Sequence, residues 1–223
     1  MVEDYLSDRE QEEALRVWWR ENWRWIFGGI VLGVALLFAW FRWQDYRVDK
    51  GEDASKQYDE LKAAVAARDD EKAAKELADL TSQHDSSAYA QQGRLLLAKT
   101  HADAGKYDDA LKLLREAADK SKDAELATVA KLRAARVLIQ LGKHDEAISS
   151  LKVDDLGSFA GVAHEIRGDA YVAKGDQNGA RGEYAAALTA NDAQIDRNIV
   201  ELKLQEVGGS PAPATTAQAE VEK

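Results

Sequence analysis

The side chains of this 223-residue chain that could do chemistry are few, and their spacing serves none of the usual reactions. Four histidines, His84, His101, His144 and His164, could ligate a metal or carry protons. No two of them stand at metal-ligand spacing, and the H-E-x-x-H pattern of helical zinc sites does not occur. Gly157-Ser-Phe-Ala-Gly161 carries its serine one position early for the G-x-S-x-G turn of an activated nucleophile. Paired carboxylates at Asp69-Asp70, Asp108-Asp109 and Asp154-Asp155 could work as acid and base, but they fall at expected helix starts and turns. There, capping and the helix dipole favour an acid without any catalytic role. There is no cysteine, which excludes a disulfide framework, a thiolate zinc site, a cysteine nucleophile and a lipidated N-terminal Cys. No phosphate-binding loop or dinucleotide fingerprint appears. The expectation is a non-enzyme with no catalytic, metal-binding or cofactor-binding residue and no cofactor.

The elements that hold these residues are helices. Thirty Lys and Arg stand against 40 Asp and Glu, a net charge of −10, the opposite of a nucleic-acid binder's basic footprint. Both prolines lie in the last thirteen residues, and Ala, Leu, Glu, Lys and Asp fill the middle, so the chain reads as all-α.

The helical part repeats. Gly105-Lys-Tyr-Asp-Asp-Ala110, Gly142-Lys-His-Asp-Glu-Ala147 and Gly175-Asp-Gln-Asn-Gly-Ala180 share a Gly followed five residues later by an Ala, with Ala-to-Ala spacings of 37 and 33. A weaker copy ends at Ala73 and carries Arg68 in place of the Gly. The Gly is expected to end one helix in a left-handed conformation. Asp108, Asp145 and Asn178 are then expected to cap the next helix. The Ala marks a close helix crossing, with Leu77, Leu114, Leu151 and Tyr184 filling the seam four residues on. Ala64, His101, Leu138 and Tyr171, nine residues before each Ala, face them from the first helix of each pair. This pattern resembles the tetratricopeptide repeat, best kept in Arg167-Gly-Asp-Ala-Tyr-Val-Ala-Lys-Gly-Asp-Gln-Asn-Gly-Ala180; the consensus Trp and closing Pro are missing. The resemblance implies an α-solenoid of about four degenerate hairpins with a partner-binding groove lined by first helices. Its lining would be Leu95, Lys99 and Asp103, then Leu132, Arg136 and Gln140, then Glu165, Asp169 and Val172. Asn191 to Val207 reads as a last helix, with Ile195, Ile199, Leu202 and Leu204 covering the open end.

Ahead of the repeats stands a different segment. Trp25 to Phe41 is 17 residues without a charge, closed by Arg24 and Arg42. As helix it rises about 25 Å, the short end of a bilayer span, and the flanks extend it. All six tryptophans lie between Trp18 and Trp43, where indoles favour the headgroup boundary and arginines snorkel outward. The preceding residues hold four Arg and seven acids, and Phe41-Arg-Trp43 offers no small-x-small cleavage site, so an uncleaved signal anchor is expected. Four Lys or Arg on each side leave the positive-inside rule tied. Gly29 and Gly33 form a small-xxx-small pair suited to helix packing or self-association in the membrane. The expected domains are a segment 1–24, an anchor 25–43, a repeat domain 44–207 and a disordered tail 208–223, with a break at Gly51-Glu-Asp-Ala-Ser55.

Over Met1 to about Val207 the chain resembles the YfgM-type family of bacterial inner-membrane proteins, ancillary subunits of the Sec translocon. The resemblance rests on Tyr5, on Gln11-Glu-Glu-Ala-Leu-Arg-Val-Trp-Trp19, on Trp40-Phe-Arg-Trp43, and above all on Ile166 to Arg181. It implies a cytoplasmic N-terminus, a periplasmic repeat domain, and association with SecYEG and a periplasmic peptidyl-prolyl-isomerase-like chaperone. Nascent secreted or outer-membrane proteins and the lipid bilayer complete the implied partners, with no nucleic acid. Membrane-anchored repeat proteins of lipopolysaccharide regulation and of outer-membrane assembly fit less well, since they need cysteines. The alternative function is a membrane-tethered regulator whose cytoplasmic N-terminal segment binds a response regulator or protease.

Overall fold

A computed structural model of the chain describes residues 8–153, 156–190 and 194–210. The described residues form helices α1 (Asp8–Ala66), α2 (Asp70–His84), α3 (Ala88–Asp103), α4 (Tyr107–Lys120) and α5 (Ala124–Gln140). After them come α6 (His144–Ser150), a 3-10 turn at Gly157–Phe159, α7 (Ala160–Lys174), α8 (Gln177–Thr189) and α9 (Arg197–Glu206). No strand occurs among them, as the composition requires. Two compact units divide the chain, Met1–Glu52 and Asp53–Lys223.

In the second unit four hairpins follow one another: the end of α1 with α2, then α3 with α4, α5 with α6, and α7 with α8. The reason is visible at each turn. Gly105, Gly142 and Gly175 have φ of +74°, +72° and +84°. Arg68, in the Gly position of the weak copy, is forced to φ +56° without the glycine. Past each turn an amide donates back five residues to a carbonyl: Asp69 N to Ala64 O, Lys106 N to His101 O, Lys143 N to Leu138 O and Asp176 N to Tyr171 O, at 2.8–3.1 Å. The acceptors are the four first-helix positions that the repeat aligns. Across the seam Ala73, Ala110, Ala147 and Ala180 are at most 1 % exposed, with Leu77, Leu114, Leu151 and Tyr184 buried above them. Gly168 completes the last crossing, because a Cβ there would overlap the Tyr184 ring.

Three local expectations are corrected. Helices α4, α6 and α8 start one residue before Asp108, Asp145 and Asn178, so those residues lie in the first turn. Asp108 and Asp145 still complement the dipole there. The caps are Asp69, Ser87, Asp123, Asp176 and Asp196, whose side chains accept from amides two or three residues ahead. Gly51–Ser55 is helical within α1, so no helix end falls there, although the boundary between the two units, Glu52 to Asp53, lies inside it; Ala54 is fully buried with Leu80 and Ala90, and that packing offsets the roughly 1 kcal/mol a helical glycine costs. The last helix begins at Arg197, and its buried stripe is Val200, Leu204 and Val207, preceded by buried Ile195. Ile199 lies about 100° and Leu202 about 160° round the helix from Val200, and both are exposed. Residues 191–193, 154–155 and 211–223, where parts of the last helix, an acidic pair and most of the tail were expected, lie outside the described residues.

The unit holds a polar knot that the repeat pattern does not contain. Arg94 of α3 is 2 % exposed and forms ion pairs with Asp85 and with Glu116 of α4. Buried Gln91 accepts from Arg94 at 3.0 Å and donates to the Asp85 carbonyl. Lys120 of α4 grips the second Asp85 oxygen at 2.6 Å. The Asp85 carboxyl is consequently held below the ordinary carboxylate range, by Lys120 first and then Arg94.

Candidate protein-interaction surface

Helices α3 and α5 adjoin, as do α5 and α7, so first helices of successive hairpins form one side of the stack. Each contributes residues about one turn apart to this side, and the nine expected groove residues divide by burial. Leu95 and Leu132 are core residues at 6 % and 4 % exposed. Lys99, Asp103, Arg136 and Gln140 are exposed, and Lys99 pairs with Asp103 one turn along α3. Val172 is 46 % exposed, whereas Glu165 and Asp169 are occupied from within the chain. Lys203 of α9 reaches Glu165 at 2.7 Å and Asp169 at 2.8 Å.

Between α3 and α5 lies a cavity of about 310 Å³ lined by Leu95, Ala98, Lys99, Ala102, Leu114, Arg133, Arg136 and Val137. It gathers three of the nine expected residues. Arg133 was missed, although it stands three residues before Arg136 and therefore on the same helical face. Further along, a cavity of about 500 Å³ lies among Asp169, Val172, Tyr184, Lys203 and Glu206. Its chemistry is already engaged. The Tyr184 hydroxyl donates to Asp169 at 2.7 Å, and burial, with that bond second, raises the phenol pKa. Burial alone would lower the Lys203 ammonium, but its bonds to Asp169 and Glu165 outweigh that and hold it above the ordinary lysine value.

Other histidine and carboxylate positions join helices. His164 and Arg167 of α7 both hold Glu183 of α8, each at 2.7 Å. Among the described residues no group of three or more His, Asp or Glu is placed to hold a metal.

In the first unit Gln11–Gln44 is long and apolar enough to cross a membrane. Its large side chains are exposed, Trp25 at 82 % and Phe38 at 67 %. The Trp40 and Trp43 rings meet at 5.3 Å. A Cβ at Gly29 or Gly33 would meet nothing within 4 Å, so the small-xxx-small pair has no neighbour among the described residues.

A family model described as a tetratricopeptide repeat-like domain matches residues 16–209. The chain is similar to the ancillary SecYEG translocon subunit of Haemophilus influenzae, 32 % identical over 202 residues that cover 90 % of this chain and 98 % of that one. It is 28 % identical to the Escherichia coli protein of the same name, over 91 % of this chain and 98 % of that one. A Neisseria gonorrhoeae counterpart is 26 % identical over 90 % of this chain and 97 % of its own length.

Proposed function

Since the chain belongs to the tetratricopeptide repeat-like family that includes the ancillary SecYEG translocon subunits, we propose that it is a single-pass inner-membrane interaction subunit of the Sec translocon. The apolar span anchors it, the N-terminus stays cytoplasmic and the repeat domain lies in the periplasm. There the first-helix side of the stack holds a peptidyl-prolyl-isomerase-like chaperone, and through it newly translocated secreted or outer-membrane chains, beside the channel. Tethering makes weak contacts effective by raising local concentration. The observation that supports this reading is one chain carrying both an exposed span fit for a bilayer and a stack whose first-helix side keeps an open cavity at Lys99 and Arg136. Gly29 and Gly33 remain the proposed packing face for a neighbouring membrane helix.

Photo-crosslinking from Lys99 and Arg136 in intact membranes tests the reading. Adducts with SecYEG or a periplasmic chaperone are expected; their absence from every first-helix position counts against it. Protease added to spheroplasts should digest residues 53–223 without lysis, and protection until lysis would reverse the proposed orientation.

A further inference from the structure

The cavity between α3 and α5 has a chemistry of its own. Its floor is apolar, built from Leu95, Ala98, Ala102, Leu114 and Val137, and its rim is cationic. Lys99 is neutralised by Asp103. Arg133 and Arg136 make no ion pair with any described residue, in a chain where acids outnumber bases 40 to 30. Several cations elsewhere on the stack do reach acids of a neighbouring element: Lys106 to Asp70, Arg115 to Glu146, Lys174 to Asp145 and Lys203 to Glu165. Two guanidinium forks without an ion pair among the described residues, beside an apolar cavity floor, call for carboxylates next to an apolar group. At about 310 Å³ the cavity suits one or two large side chains, whereas a helix 10–12 Å across would not enter it.

We infer that this cavity is a docking site for an extended acidic-apolar peptide segment, its floor taking a bulky apolar side chain while Arg133 and Arg136 pair with the flanking carboxylates. The assignment rests on the proposed interaction role and names the class of segment that this surface selects. Water over the apolar floor is poorly hydrogen-bonded, so an apolar side chain displaces it favourably. The arginines add selection by charge, since a segment with basic flanks meets repulsion and a neutral one leaves them unpaired.

The test uses the full chain in zwitterionic lipid nanodiscs and the fluorescein-labelled octapeptide SGELFDGS, read by anisotropy. Its neutral counterpart SGQLFNGS and its apolar-stripped counterpart SGESSDGS should each bind about tenfold more weakly. The double variant Arg133→Gln/Arg136→Gln should lose about tenfold toward SGELFDGS and nothing toward SGQLFNGS, at unchanged helical ellipticity. Lys152→Gln, exposed and outside the cavity's lining, should bind as the wild type does. Equal binding of all three peptides, or an unaffected double variant, would overturn the inference. So would a dimer that the double variant dissolves, or phosphatidylglycerol-vesicle binding that it abolishes, because the occupant would then be a second copy or a lipid. Crosslinks to SecYEG that survive in the double variant separate the two readings. The translocon role then stands whatever the peptides show, whereas loss of crosslinks from every first-helix position sinks the role itself.

Discussion

Lys203 shows how one residue settles which part of a repeat surface stays open. Its ammonium lies between Glu165 and Asp169, and Asp169 also accepts from buried Tyr184. Removing the amine leaves two half-buried carboxylates side by side, so Lys203→Met should cost about 1–3 kcal/mol at neutral pH in urea titrations of the detergent-solubilised chain. The sign with pH follows from the raised lysine pKa. The pair's contribution is complete below the ordinary value of 10.5 and is lost as pH climbs through the higher folded value. The gap between wild type and variant should therefore narrow above pH 10.5, and a gap that widens there would refute the pairing. Glu165 and Asp169 read as groove residues from spacing alone, because nothing in a repeat pattern tells that a lysine 38 and 34 positions away will arrive. Arg94 escaped notice for the same reason: its partner Glu116 is 22 residues on, beyond any local periodicity.

At the scale of the element, the turns were legible in the sequence because their physics is local. A left-handed residue at the end of a first helix is written as Gly three times and as Arg68 once. Arg68→Gly should therefore stabilise the chain by about 0.5–1 kcal/mol, and Gly142→Ala should destabilise it by about 1 kcal/mol, both read from urea midpoints. Gly168 and Gly182 separate space from conformation. Gly168→Ala drives a methyl into the Tyr184 ring and should cost about 1–3 kcal/mol. Gly182→Ala, with nothing within 4 Å of the new carbon, should be neutral or stabilising by up to about 1 kcal/mol. Equal effects at the two sites would disprove the close crossing of α7 and α8. Helix starts were harder to place, since Asp108 and Asp145 satisfy the rule for a cap and the rule for a first-turn acid equally well. The last helix failed by phase: in Asp196 to Val207 apolar residues occur on two faces, and only packing against α8 selects Val200, Leu204 and Val207.

At the scale of the whole molecule, the membrane and the stack make separate demands. The exposed indoles and apolar side chains of Gln11–Gln44 are costly in water, so the chain should remain in the pellet after alkaline carbonate extraction. Deleting residues 25–43 should move it to the supernatant; an extractable full-length chain would refute the anchor. In the stack each hairpin completes its core only against the next, and α9 does this for the last, setting Val200, Leu204 and Val207 against a cluster that includes Ile166 and Tyr184. That arrangement makes the fold self-reporting. A product ended early by a stalled ribosome or a nonsense codon ahead of Asp196 has three finished hairpins and a fourth with its greasy flank wet. Proteases that read exposed hydrocarbon can thus discard such unfinished copies before they compete for partners.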